Sequence, residues 1–423
     1  MTARRTKAGG PKKRPTRYAP PHDTPLDLAE ALRAHRKGRV AEAVARYRER
    51  LARNPTCLDS HMNLATALVR LGRAREARLA FARALALAPQ DPRVHRDAGI
   101  GFASLGALGE ARTALATAFD LDPGSLGAPL ALARLLAEQG HKRAALDLLA
   151  QASAVDPTNA SVQLERHRVL FDDRALGPAI EAAHRAVDLD PHYALARFFL
   201  AGALGREGQR AAMQDALGPP GLVAEGLVDA LMFALEERTE RPRHFATKRD
   251  TFTFALGQTD LPGPLLEFGV RHGISTRILA EDENVTVHAF DSFWGLPQGW
   301  QGHGPGAFST DGELPDVPAN VRLHVGSFED TLPPFAARLP EPPRLVHIDA
   351  DLYESARTVL HHLGPHLTTG CVLVFDELIG NASWRQDEYR AFTDAAQAFG
   401  WTFRTLALSW ITGQGVFALG ENA

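Results

Sequence analysis

Cysteine is almost missing from this chain. Cys57 and Cys371 are the two present among 423 residues, and they stand in what read as separate domains. That spacing excludes the disulfide framework of a small secreted domain. Long apolar runs are also missing, and no segment resembles a signal peptide or a membrane span. These two absences set the expectation of a cytoplasmic protein with no membrane partner. There is little excess of either charge: the net value is −3. A general nucleic-acid binder carries a surplus of Lys and Arg to neutralise phosphates, so that class is disfavoured.

What charge there is lies unevenly. Residues 1–22 hold seven Lys or Arg and no acid, leaving 40 basic against 50 acidic residues in the rest, a net of −10. With many breakers and almost no apolar side chains, residues 1–23 read as a disordered basic tail. The remainder, at 45% hydrophobic and 23% charged for the whole chain, is ordinary globular composition. Its length exceeds one core, so two domains, or a repeat array plus a domain, are expected.

Periodicity identifies the first part. Pro55, Pro89, Pro123, Pro157 and Pro191 are 34 residues apart. Seventeen residues before the first four stand Gly38, Gly72, Gly106 and Gly140, with Arg174 in the fifth register. Ala43, Ala77, Ala111, Ala145 and Ala179 lie twelve before each Pro. Glycine suits a turn between two helices, alanine lets helices approach closely, and proline stops the second helix. The pattern resembles tetratricopeptide repeats, over residues 24–217 as five units and a partial sixth that includes Gly208. The resemblance implies a stacked solenoid that binds a protein or peptide, or self-associates; a plain spacer is the alternative.

"LGPPGLVAEG" at 217–226 breaks the pattern, which places a linker at 218–227 and a second domain at 228–423. There, short apolar runs at 264–269, 285–291, 321–326, 344–349 and 371–377 alternate with helix-length intervals. Such runs predict a Rossmann-like, doubly wound, mostly parallel sheet buried on both faces. Runs at 401–408 and 415–420 predict a closing antiparallel pair. The fold class expected is therefore α + α/β, a helical-hairpin solenoid followed by that sheet. Ligands of doubly wound sheets bind beyond the carboxyl ends of the strands, and most of these runs end in acid.

The first run continues as "LLEFGVRHGIST", with Glu267, Gly269 and Gly273. Glycines here let the backbone turn and approach a ligand, but the spacing is not the dinucleotide G-x-G-x-x-G. Asp291 ends the next run, where an acid can accept from both hydroxyls of a ribose. "LEFGVRHGIST", "FDSFWGLP", "GSFEDTLP", "IDADLYES" and "VFDE" occur in this order, and together they resemble class I S-adenosylmethionine-dependent methyltransferases. Within that class the chain is similar to the macrocin O-methyltransferase type. The resemblance implies O-methylation of a small acceptor such as a sugar hydroxyl. It places Glu267 and Gly269 on the methionine part of the cofactor, Asp291 on the ribose, and Ser327 and Phe328 beside the adenine.

Three carboxylates follow the fourth run. Asp351 and Glu354 have the spacing of a capping box for the next helix. Asp349 has no such duty and reads as a cleft residue. Asp376 and Glu377 end the neighbouring run about 5 Å away, so these acids could share one hard cation such as Mg²⁺, with solvated loop acids as the alternative. The resemblance implies that such a metal grips the substrate oxygen, with Asp349 catalytic; the family often has Asp-Asp where this chain has Asp376-Glu377. The Gly-rich loop 292–315 reads as a substrate lid. Its His303 is a candidate general base or a surface residue, and Trp384 and Arg385 are candidates for the acceptor pocket. His347 reads as a packed core histidine. The rival reading is a binding scaffold whose second domain has lost catalysis.

Overall fold

The computed structural model describes residues 26–236 and 241–420, so the basic tail lies outside the described residues. Helices pair as hairpins: α1 (Leu26–Arg36) with α2 (Val40–Arg53), α3 (Leu58–Arg70) with α4 (Ala74–Leu87), α5 (Pro92–Ser104) with α6 (Leu108–Leu121), α7 (Gly127–Glu138) with α8 (Lys142–Val155), α9 (Ala160–Leu170) with α10 (Gly177–Leu189), and α11 (Ala194–Arg206) with α12 (Arg210–Leu217). The repeating alanines at 43, 77, 111, 145 and 179 are fully buried, which is why a small side chain recurs there. Each repeat proline stands two residues beyond a helix end, where a missing N–H costs nothing. Glycines 38, 72, 106, 140 and 208 turn the chain at positive φ.

The fifth hairpin departs from this rule for a visible reason. Its turn, 171–176, has six residues where the others have three, and the extra length reaches the second domain. Phe171 is buried against Trp410, ring centroids 5.7 Å apart. The Asp173 carboxylate, 1% exposed, accepts from Arg206 Nε at 2.8 Å and Arg243 Nε at 2.8 Å. A buried carboxylate needs such partners. The lost glycine therefore marks a docking point.

After α13 (Glu225–Ala234) and α14 (Lys248–Leu256) come β1 (Leu265–Phe268), α15 (Ile274–Leu279), β2 (Val287–Asp291), β3 (Val321–Val325), α16 (Phe328–Ala336), β4 (Leu345–Ile348), α17 (Tyr353–Leu363), β5 (Val372–Phe375), α18 (Glu388–Phe399), β6 (Phe403–Leu408) and β7 (Gly415–Leu419). The sheet order is β3-β2-β1-β4-β5-β7-β6, with β7 antiparallel to both its neighbours and the rest parallel. Strands β1, β4, β5 and β7 are buried along their whole length, matching their unbroken apolar sequences. The chain winds outward from β1 to β3, then returns to β4 beside β1. That reversal opens a crevice at the carboxyl ends of β1 and β4.

The expected linker is not a free tether. Helix α13 begins at Glu225 and buries Ala230, Leu231 and Ala234. One apolar cluster runs from Leu164, Phe171 and Phe198 of the array to Phe268, Val346, Phe375 and Trp410 of the sheet domain. No helix among the described residues is long and apolar enough to cross a membrane.

Two buried histidines stand at this junction. His167 is bonded through Nδ1 to the Ala179 carbonyl at 2.9 Å, and His244 through Nδ1 to the Leu408 carbonyl. Burial holds their pKa values down, to about 4 and about 3. Between those values and the unfolded value of about 6.5, the unfolded chain binds protons that the native one does not, so stability falls as pH falls. Thermal unfolding from pH 7 to 4 should show a loss of up to about 1.4 kcal/mol per pH unit for each histidine. His167→Gln with His244→Gln should flatten that slope relative to wild type.

Candidate functional site

The crevice between β1 and β4 begins with a backbone constraint. Gly269 follows β1 at φ +97°, and a Cβ there would stand 1.9 Å from the Asp349 carbonyl oxygen. Only glycine permits that approach. The ladder extends one step beyond the strands, with Asp349 N–H donating to Phe268 at 2.8 Å and Asp376 N–H to Ile348 at 2.9 Å. In this register Ile348 pairs with Phe375, so Asp349 and Asp376 emerge side by side. The cleft they enter has a volume of about 380 Å³.

Asp291, at the end of β2, holds the turn that follows β1. Its Oδ2 accepts from the Val270 and Arg271 N–H groups, each at 2.8 Å, and its Oδ1 from Phe293 N–H at 2.7 Å. It lines the cleft while organising both the glycine turn and the start of the lid. Ser327 caps α16 through the Asp330 N–H, and Phe328 packs edge-on against Phe268 at 5.5 Å; both line the cleft. Gly269 lines it too, whereas Gly273 serves as the left-handed cap residue of α15, away from the cleft wall.

Glu267 stands elsewhere than expected. It is fully buried, is not on the cleft wall, and its Oε1 meets His347 Nδ1 at 3.2 Å. His347 is more than a packed core residue. Its Nε2 lies 3.8 Å from Asp376 Oδ1, and Asp376 also takes Gln414 Nε2 at 2.9 Å and the Lys248 ammonium. Burial opposes charge on His347, but Asp376 and Glu267 outweigh it and raise its pKa to about 10. The same balance keeps Lys248 charged, with Asp376, Asp349 and Glu377 as its counter-charges, and lowers the Asp376 pKa. Glu267, His347, Asp376 and Lys248 thus form a linked chain that runs from the buried sheet to the partly exposed Lys248.

The acids outside that chain are pushed the other way. Burial and the charge of Asp376 raise Asp349 well above the usual carboxylate range. Burial, Glu377 and Asp376 raise Asp351 to about 7, and burial raises Glu377. Asp351 is not a helix cap: α17 starts after Leu352 with no side-chain cap, and Glu354 is exposed and pairs with Arg357 at 2.6 Å. Instead Asp351 lines the cleft at φ +59°. Buried Glu388 of α18 instead holds the loop ahead of the helix, accepting from Ala350 N–H at 2.8 Å and Asp351 N–H at 3.2 Å. A local spacing rule missed this because Glu388 arrives from 37 residues downstream.

Lys248 and Arg271 are the other residues that sequence reading passed over. Lys248 starts α14 and crosses to Asp376 from 128 residues away. Arg271 lies in the glycine turn, with its guanidinium 5.2 Å from the Phe308 ring of the lid. The only local signals were "ATKRD" and "GVRHG", in which any basic residue looks like surface. Backbone strain marks the same region: all six non-glycine residues of positive φ among the described residues (Arg271, Phe293, Gln301, Phe308, Asp311 and Asp351) are on loops beside this cleft. Strained φ of this kind clusters at functional sites.

The lid, 292–315, closes onto the segment after β5. Trp300 Nε1 donates to Asp387 at 3.1 Å, and Gln301 Nε2 to Asn381 at 3.1 Å and Ser383 at 2.6 Å. Leu296, Pro297 and Phe308 face the cleft. His303 is exposed, lies tilted against the Phe308 ring with centroids 5.2 Å apart, and is not on the cleft wall. Trp384 is 1% exposed and donates to Asp229, and Arg385 pairs with the same Asp229 at 2.9 Å. Both fasten α13 rather than shaping the cleft.

Residues 266–378 match the family model described as a methyltransferase domain, and residues 34–96 and 102–165 match that described as tetratricopeptide repeat. No curated protein matches the chain. Among solved structures it is similar to the calicheamicin methyltransferase CalS11, at 20% identity over 53% of this chain and 91% of that one, TM-score 0.33. Its array is similar to TTC0263, a thermophilic repeat protein in Thermus thermophilus, at 19% identity over 42% of this chain and 97% of that one, TM-score 0.36. The chain joins a tetratricopeptide-repeat array to a methyltransferase domain.

The charge chain makes a prediction. His347→Ala leaves two buried carboxylates without their shared partner, a loss of about 3–5 kcal/mol in urea unfolding. Adding Glu267→Gln should recover part of it, because one of the two stranded charges is then gone.

Proposed function

We propose that the cleft binds S-adenosylmethionine and methylates a hydroxyl oxygen of a small acceptor, a sugar or a related natural product. The observation that carries this reading is the charge of a cleft built at the switch point of a doubly wound sheet. Six carboxylates line it (Asp291, Glu329, Asp349, Asp351, Asp376 and Glu377) against two cations, Lys248 and Arg271. Such an excess calls for positive ligands, and a sulfonium cofactor with a divalent metal would meet that need.

The donor set fits Mg²⁺ in kind. Asp349, Asp376 and Glu377 present hard oxygens to one cleft. His347, Asp349 and Asp376 offer atoms within 4.8 Å of one another, and His347 Nδ1 already meets Glu267. Asp349, Asp376 and Glu377 would hold the ion, with His347 beside them, and the ion when bound supplies charge that lowers the pKa of a nearby hydroxyl. The cofactor supplies an electrophilic methyl carbon. Asp291 and the Gly269 turn shape the wall against which it lies, with Ser327 and Phe328 on the adenine side. Asp349 would accept the hydroxyl proton only where no ion is bound, since a carboxylate on a cation holds protons weakly. The lid excludes water, through Leu296, Pro297 and Phe308.

A second reading has its own support. The Lys248 ammonium already sits on Asp376, so a resident lysine can supply the positive charge without a metal. The array has a groove of its own across its first three repeats, lined by His35, Met62, Asn63, Arg70 and Phe81, which we assign to a peptide or protein partner. Both cysteines are free, in keeping with a cytoplasmic location.

The test is calorimetric titration with S-adenosylhomocysteine. One site per chain is expected, with Asp291→Ala weakening it at least tenfold, equivalent to about 1.4 kcal/mol. Absence of saturable binding to the wild type would refute the reading. Repeating the titration with Mg²⁺ present and after chelation separates the metal from the lysine reading, since the latter expects no change.

A further inference from the structure

The array touches the lid directly. The turn between α3 and α4 lies so close to it that a Cβ on Gly72 would stand 1.6 Å from the Ser309 carbonyl oxygen. Beside that contact Arg73 Nε meets Asp311 Oδ2 at 3.3 Å, and the Arg75 N–H, at the start of α4, donates to Glu313 Oε2 at 2.8 Å. That amide belongs to the first turn of a helix, where no internal acceptor exists, and the lid supplies one. Three neighbouring features of the second repeat therefore engage three points of one loop.

The same loop forms the cleft wall. Phe308, adjacent to Ser309, lines the cleft under the Arg271 guanidinium. Leu296 is tied to the far limb of the loop through its N–H to Ala307 at 2.9 Å and its carbonyl to Gly306 at 2.8 Å. The opposite edge is fixed by Trp300 and Gln301 to the 381–387 segment. The lid is thus held at two edges, one by its own domain and one by the repeats. Loops of this length need such ties, because their own apolar burial is small.

We propose that the second repeat turn, through Gly72, Arg73 and the Arg75 amide, is a positioning element of the transferase cleft: it holds Phe308 and the lid in the closed arrangement that retains the cofactor. This rests on the reading that the cleft binds S-adenosylmethionine. The array is then a working part of the active site as well as a platform for partners. It also accounts for glycine at 72 in two ways, as a turn residue and as the only residue that leaves room for Ser309.

The repeat architecture supplies an internal control. Gly38 occupies the equivalent turn of the first repeat at φ +77°, close to the +70° of Gly72, yet nothing lies within 4 Å of a Cβ placed there. Gly38→Ala and Gly72→Ala therefore impose the same local backbone strain, and only the second meets the lid. Two measurements on the full chain read the difference: hydrogen exchange of amides in 293–316, and the affinity for S-adenosylhomocysteine. Gly72→Ala should raise exchange in that loop about tenfold and weaken binding by a similar factor, while Gly38→Ala leaves both unchanged. Arg73→Ala combined with Glu313→Ala removes both polar ties while keeping Gly72, and should move both readouts in the same direction if Gly72→Ala does not fold. Equal behaviour of the two glycine variants, or faster loop exchange with unchanged affinity, overturns the proposal. If the wild type binds no S-adenosylhomocysteine, the functional reading fails; the exchange comparison still decides whether the array anchors the loop.

Discussion

The structure depends on keeping charge inside an apolar sheet. Glu267 and His347 sit on neighbouring strands in the same register, and both are fully buried. Neither is tolerable alone, since an isolated buried ion carries a desolvation cost of several kcal/mol. Each is stabilised by the next: Glu267 by His347, His347 by Asp376, Asp376 by Lys248. The chain ends at the cleft, where Lys248 is partly exposed and faces further acids. Asp349, Asp351 and Glu377 have no comparable partners, and burial makes them hold protons more tightly, so they ionise readily only beside a positive ligand. A site that binds positive ligands follows from where the neutralisation stops.

The two halves of the molecule are less separate than their sequences suggest. The fifth hairpin gives up its glycine turn and inserts Phe171 and Asp173 into the second domain. Burying one such phenylalanine contributes about 1.5–3 kcal/mol, and the bidentate Arg206–Asp173 pair fixes its orientation. From there the apolar cluster is continuous into the sheet. At the other end of the array, the second repeat turn reaches the lid. A solenoid stacked by nearest-neighbour contacts is stiff along its axis, so it can span from the core junction to the rim of the cleft.

Much of the architecture was legible in advance. The 34-residue period located the hairpins, and the glycine and proline positions placed their turns and stops within a residue or two. Five apolar runs and a final pair became the seven strands, because a buried parallel strand must be apolar on both faces. At the cleft, Gly269, Asp291, Ser327, Phe328, Asp349, Asp376 and Glu377 all appear on the wall. Other assignments failed where side-chain direction or distant sequence decided them. Glu267 alternates onto the face under α14 instead of the cleft. Asp351 and Glu354 had cap spacing, but α17 starts after Leu352 without a side-chain cap, and Asp351 lies on the cleft wall while Glu388 holds its amide. Trp384 and Arg385 turned towards Asp229.

Local sequence alone determined the elements of this protein, since periodicity, turn chemistry and strand composition act over a few residues. It also determined which strand ends carry acid. Tertiary structure decided what those acids meet. Lys248, His347, Gln414 and Glu388 approach from as much as 128 residues away, and charge interactions depend on separation in space, to which sequence distance is blind. The meeting of Gly72 with Ser309 belongs to the same class: a turn glycine is local, but the carbonyl it must leave room for comes from another domain.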